Sequence, residues 1–208
     1  HGLDGPPEFC IFKDLDGTDI WHVHHKDLSV ISGGVGGYEY LQLGTSGDSQ
    51  EATPGATGIT NITSSVVTFG SNRAELNGAN DFIAYMWQSI PGVQKFDKYT
   101  GNNNANGPYV YLGFKPAIVL VKRISGANAN WYIADYKNQT VNPVIHALEP
   151  NTADSMNTAS VVNFDFLSKG FKIRGTDGDI NAASTPYIYA AWAHQPAFNL
   201  YGAQSNAR

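Results

Sequence analysis

Hydrophobic and polar positions alternate in short bursts along this chain of 208 residues. Segments of four to eight residues rich in β-branched and aromatic side chains recur, each bounded by Gly, Asn, Asp or Pro. They fall at 8–13, 20–25, 38–43, 65–69, 81–87, 109–112, 117–122, 131–135, 163–166, 171–174 and 187–192. No window of eleven residues holds a 3.6-residue apolar stripe, and turn residues return every eight to fifteen positions. Many short strands at that spacing predict an all-β fold, a sandwich or barrel, and not alternating βα units. The runs at 9–12 and 117–121 are apolar on both faces and are expected to be central strands.

The pattern also repeats. Pro7-Glu8-Phe9-Cys10-Ile11-Phe12-Lys13 matches Pro116-Ala117-Ile118-Val119-Leu120-Val121-Lys122 at a constant offset of 109. Trp21-His22-Val23 answers Trp131-Tyr132-Ile133, and the segment from Phe82 to Trp87 answers that from Tyr187 to Trp192. Phe96-x-x-Tyr99 answers Phe198-x-x-Tyr201. Anchors in one order with small gaps predict two tandem copies of about 100 residues, as internal repeats do. The copies run over about 1–101 and 108–208 and are joined by the Asn/Gly-rich segment 102–107. That joint suits either a linker or a connection inside one domain. Copies with few large aliphatics bury their faces best against each other, which favours one sandwich domain over 1–208 with pseudo-twofold organisation. The matched Trp21, Trp131, Trp87 and Trp192 are expected in the core.

Composition narrows the class. Charged residues are 15% of the chain, against about 25% in a typical soluble domain. The net charge of −5 leaves nothing to neutralise a phosphate backbone, so nucleic acid is not an expected partner. The longest aliphatic run, 117–121, is far short of the roughly 20 residues of a membrane helix, and no charged-then-apolar leader opens the sequence. Neither signal peptide nor membrane insertion is expected. Polarity comes from neutral groups, with 22 Gly, 18 Asn and many Ser and Thr. Such a surface fits an extracellular protein. The one cysteine, Cys10, excludes an internal disulfide and sits in an apolar run, as a buried small hydrophobe would.

Several motifs together carry a family resemblance. They are His1-Gly2-Leu3, Trp21-His22-Val23-His24-His25-Lys26 and Lys95-Phe96-x-x-Tyr99-Thr100-Gly101-Asn102 in the first copy. The second contributes the stretches from Gly107 to Pro116, Asp165 to Arg174 and Tyr187 to Ala193, and the ending from Tyr201 to Arg208. In this order the chain resembles a β-rich domain at the C-terminus of bacteriophage tail-fibre proteins of the marine and cyanophage type. The resemblance implies a lectin-like jelly-roll β-sandwich, a homotrimer within a fibre, a place at the distal end of the virion's tail fibre, and adhesion to a host-cell surface. It implies no catalytic signature.

Three groups of residues invite chemistry. Asp14, Asp16 and Asp19 surround Gly17, and alternate carboxylates can wrap Ca²⁺ with its six to eight oxygens. The twelve-residue calcium loop is incomplete, and Asp with Gly is also what a tight turn requires. Thr176-Asp177-Gly178-Asp179 reads the same way. His22 and His24 share one face of a strand at a spacing that can ligate a metal, although strand histidines satisfied in the core fit as well. Carbohydrate binding needs amides, hydroxyls and an aromatic plane. Tyr38, Tyr40 and Tyr99 are the candidates for stacking, with Asn103, Asn104, Asn128 and Asn130 for hydrogen bonding.

No nucleophile elbow, phosphate loop or paired carboxylates can be read from the sequence, so no enzyme is expected. The leading expectation is a non-enzymatic receptor-binding domain that adheres to a host-cell surface glycan or envelope receptor. The alternatives are a structural trimerisation, capping or virion decoration domain, and a polysaccharide-cleaving tail tip.

Overall fold

The computed structural model describes residues 1–28, 37–47, 58–70, 74–126, 128–156 and 162–195. The chain divides into two compact units, His1–Gln88 and Ser89–Arg208. Its regular structure is almost entirely antiparallel β, the all-β class that the alternation predicts.

Unit 1 contains β1 (Phe9–Asp14), β2 (His22–His25), β3 (Leu41–Gln42), β4 (Ile59–Ile62), β5 (Val67–Phe69), one helical turn α1 (Ala74–Asn77) and β6 (Phe82–Trp87). A four-stranded sheet runs β3-β2-β1-β6, and β4 pairs with β5 as a separate hairpin. Period two along β1 turns Cys10 and Phe12 to one face, where they pack with Ile59 of β4 and Leu76 of α1. Phe12 meets Phe69 of β5 edge-on with ring centroids 5.1 Å apart. The hairpin and α1 therefore close over one face of the sheet. On the other face Phe9 stacks on Trp87 at 5.4 Å.

Unit 2 contains β7 (Gln94–Thr100), β8 (Tyr109–Tyr111), β9 (Pro116–Arg123), β10 (Tyr132–Asp135), β11 (Ala147–Leu148), β12 (Phe164–Leu167), β13 (Gly170–Ile173), α2 (Gly178–Asn181) and β14 (Pro186–Ala193). A five-stranded sheet, β11-β10-β9-β14-β7, faces a three-stranded sheet, β12-β13-β8. Val119, Val121, Tyr187, Tyr189 and Ala191 of the first interlock with Val110, Phe164, Phe166, Phe171 and Ile173 of the second. Each large side chain buried this way contributes about 1.5–3 kcal/mol against the cost of ordering the chain. This is sandwich packing, and β9 and β14 lie inside it as the two-sided apolar pattern of 117–121 requires.

The pairing order β3-β2-β1-β6 in unit 1 is matched by β11-β10-β9-β14 in unit 2. In both, a two-stranded hairpin and a single helical turn precede the last strand. The boundary between units falls at Gln88/Ser89, ahead of 102–107. The Asn/Gly-rich segment is thus a connection inside unit 2, lying on α2. Asn102 N–H donates to Asn181 Oδ1 and Asn103 N–H to Asn181 O, both at 2.8 Å. Gly101 has to be glycine, because a Cβ there would run into the Ala182 carbonyl oxygen.

The tryptophans are not all core. Trp131 is 1% exposed, while its counterpart Trp21 is 38% exposed. Asn151 helps fix Trp131 by accepting its N–H at 2.8 Å. Cys10 is fully buried, and burial pushes its thiol up to about 12, so it behaves as the small hydrophobe its setting implies. Among the described residues no helix is long and apolar enough to cross a membrane.

Candidate functional site

The two sheets of unit 2 both end in an edge strand on the same side, β7 and β8, and a groove of about 270 Å³ opens between them. Lys95, Asp97, Lys98 and Tyr99 line it from β7, Tyr109, Val110 and Tyr111 from β8, and Tyr189 from β14. In β8 the alternation sends Val110 into the core and leaves Tyr109 47% and Tyr111 60% exposed. Gly170 stands opposite Tyr111 in the pairing register, so no side chain lies directly across from that ring. On β7, Lys95 and Asp97 share a sheet face with Tyr99 and form an ion pair at 3.5 Å. Lys95 Nζ also donates to the Tyr111 carbonyl at 2.9 Å, tying β7 to β8 across the groove. The result is two exposed aromatic planes beside ammonium donors and a carboxylate acceptor. A sugar ring presents complementary chemistry, an apolar face and a rim of hydroxyls.

Of the residues predicted for this chemistry, Tyr99 lies at this groove, but as its floor. Its ring is 8% exposed, stacks on Tyr187 at 5.0 Å, and its hydroxyl donates to Ile180 O at 2.7 Å. Burial pushes that phenol well above its ordinary value. The exposed partners, Tyr109 and Tyr111, lie outside the predicted set. Their period-two spacing around Val110 was the available signal.

The other predicted residues do not converge on the groove. Tyr40 is buried and tilts against the His22 ring at 4.9 Å. Tyr38 is half-buried and lines a separate cavity of unit 1. Asn104 Oδ1 accepts Asn106 N–H at 2.8 Å, and Asn103 holds a φ of 51°, so both residues serve the turn of 102–107. Asn128 is exposed. Asn130 enters a polar network: its N–H donates to Asp179 Oδ2 at 3.0 Å and its Nδ2 to Glu149 Oε2 at 2.8 Å. Its Oδ1 accepts from Asn151 Nδ2 at 2.8 Å. Two carboxylates that look scattered in the sequence, Glu149 and Asp179, thus meet around Asn130. Burial raises the Asp179 carboxyl, and burial followed by the Asp179 charge raises the Tyr132 phenol. Beneath them Lys122 is fully buried and donates to Ala129 O at 2.9 Å. These bonds all run within the protein, as in a network that holds loops in place.

The acidic loop of unit 1 is a closed turn. Asp14 Oδ1 accepts the N–H groups of Asp16 and Gly17 at 2.9 and 3.1 Å, and Oδ2 accepts Asn80 Nδ2 at 2.7 Å. The Asn80 bond leads the effects that hold the Asp14 carboxyl below its usual range. Asp16 Oδ2 caps Asp81 N–H at 2.8 Å, while Asp19 is exposed. Asp177 likewise caps α2, accepting from Asp179 N–H at 2.8 Å. Among the described residues no three His, Cys, Asp or Glu side chains are grouped to hold a metal ion.

No curated protein and no solved structure matches the chain. A family model described as a domain of unknown function, DUF7483, matches residues 1–196, and the chain belongs to that family.

Proposed function

We propose that this chain is a non-enzymatic carbohydrate-binding adhesion domain, with the β7–β8 groove as its binding surface. The observation that carries the reading is the exposed pair Tyr109 and Tyr111 above Lys95, Asp97 and Lys98. Stacking supplies affinity for a sugar's apolar face, and the charged groups select hydroxyl geometry. The low overall charge agrees with an uncharged, hydroxyl-rich partner. The resemblance to phage tail-fibre ends supplies the setting: a jelly-roll tip, trimeric in the fibre, that holds the virion to a host-cell surface glycan.

A glycan array and host-cell adsorption, with the intact chain and Tyr109→Ala/Tyr111→Ala, test this. Binding that falls at least about tenfold in the variant, roughly 1.4 kcal/mol or more, is the expected result. Undiminished binding overturns the groove as the site. A uniform trimer that the substitutions dissociate, with adsorption lost only in parallel, favours the structural reading, in which the exposed β8 edge is a subunit contact.

A further inference from the structure

Unit 1 holds a second cavity, of about 170 Å³, lined by Pro6, Pro7, His24, Lys26, Tyr38 and Ile62. The lead-in to β1 forms one wall, and β4 contributes Ile62. Tyr38 is placed by its N–H, which donates to Ile59 O at 3.1 Å. At about 30 Å³ per water, this volume corresponds to five or six waters or a single sugar ring.

Its chemistry is unusual at one residue. His24 is 2% exposed, and its Nδ1 is buried with no hydrogen-bond partner. A buried polar atom in that state costs stability, and the same ring lines the cavity. The ring is neutral, since burial, followed by repulsion from His25, pulls its pKa down to about 3. A neutral imidazole offers one donor and one acceptor, matched to a hydroxyl and not to a bare anion. The Tyr38 ring meets His24 edge-on, with centroids 5.2 Å apart and planes at 83°. Lys26 brings positive charge, and its ammonium is held only loosely, 3.9 Å from Glu8 Oε2 and 39% exposed. Pro7 and Ile62 complete an apolar wall.

We propose that this cavity is a subsite for an acidic monosaccharide, a sugar ring bearing a carboxylate. Its carboxylate pairs with Lys26, a ring hydroxyl bonds the side of the His24 imidazole that lines the cavity, and its apolar face rests on Tyr38. The subsite lies in unit 1 and does not use the β7–β8 groove. It shares with the proposed function only the carbohydrate class of the ligand.

The test is an NMR titration of the full chain with sodium glucuronate, following the His24 ring nitrogens, with glucose and with sodium chloride at matched ionic strength as controls. The expected result is a saturable shift at His24 and Lys26 with a dissociation constant in the millimolar range. Affinity falls about tenfold or more for glucose and in Lys26→Met, a surface change that leaves the fold intact. His24→Phe removes the imidazole's hydrogen bonds, and affinity read from the shift at Lys26 falls about tenfold. Tyr111→Ala leaves it unchanged, so a failure of the β7–β8 groove on the glycan array is read separately from a failure here. The proposal is overturned if glucuronate produces no saturable shift at His24, if sodium chloride reproduces the shift, or if Lys26→Met binds as tightly as the parent.

Discussion

Tyr99 of β7 and Tyr187 of β14 lie directly opposite each other in the strand register, with rings 5.0 Å apart and only 9° from parallel. The Tyr187 hydroxyl donates to Gly178 O at 2.6 Å, as the Tyr99 hydroxyl does to Ile180 O. The pair pins α2 onto the edge of the five-stranded sheet. Tyr99→Phe removes one hydrogen bond to the backbone of α2 and is expected to cost about 1 kcal/mol. Tyr99→Ala adds a cavity, for a total of about 3–5 kcal/mol. Urea denaturation measures both. Glycan binding by Tyr99→Phe is expected to equal that of the parent, because the ring forms the floor of the groove and not its exposed face.

Gly170 opens β13 where that strand runs beside β8. A Cβ at this position would collide with the Val110 carbonyl oxygen, which is backbone and cannot rotate away. Gly170→Ala is therefore expected to push β8 outward and destabilise the protein by about 1–3 kcal/mol. Because β8 carries Tyr109 and Tyr111, glycan binding weakens in the same variant. Glycine at 178, where a Cβ meets nothing within 4 Å, provides the control, and Gly178→Ala leaves binding unchanged.

Lys122 and Asp179 test the half-buried polar network around Asn130. Lys122→Ala leaves the Ala129 carbonyl without its donor and is expected to cost about 1–3 kcal/mol. Asp179 has a raised folded pKa, so its protonated form is the one the fold prefers. Its contribution is full below the ordinary carboxylate pKa of 3.8 and is lost as pH climbs from there through the raised value. Asp179→Asn keeps an acceptor for Asn130 N–H and carries no charge. Thermal midpoints measured from pH 4 to pH 7, a range of about three pH units, are expected to vary less in Asp179→Asn than in the parent.

His24 works in the opposite sense. Its folded pKa of about 3 lies below the ordinary 6.5, so the unfolded chain takes up a proton first. Stability is then full above pH 6.5 and declines as pH falls from 6.5 towards 3, by a few kcal/mol in all. His24→Phe is expected to flatten this acid limb in a denaturation series across that range. A parent and variant that lose stability in parallel would assign the acid sensitivity elsewhere.

How much of this was legible in the linear chain depends on whether the deciding interaction was local. Strands β1, β9 and β14 stand out because they are buried and their side chains are apolar on both faces. Strand β7 does not, since Gln94, Lys95, Asp97 and Lys98 are the polar residues that an exposed edge tolerates. Strand β3 falls within the segment 38–43 that the alternation marks, whereas β11 has only two residues, too short for any period to register. Trp21 and Trp131 occupy matched sequence positions yet differ in exposure, 38% against 1%, which residue type cannot distinguish.

Local residue pattern alone is enough to show that the protein is β, where most strands lie and that Cys10 is buried. These follow from side-chain alternation and backbone preference, which act over a few residues. Only the tertiary structure decided which aromatic rings are exposed. Tyr99 and Tyr109 have the same side chain, but one faces Tyr187 beneath α2 and the other projects from β8, the last strand of its sheet among the described residues. Tertiary structure also brought Glu149, Asp179 and Lys122 around Asn130, and left His24 Nδ1 unsatisfied beside a cavity. Exposure and convergence depend on which strands end a sheet and what packs across them, and residues far apart in the chain set both.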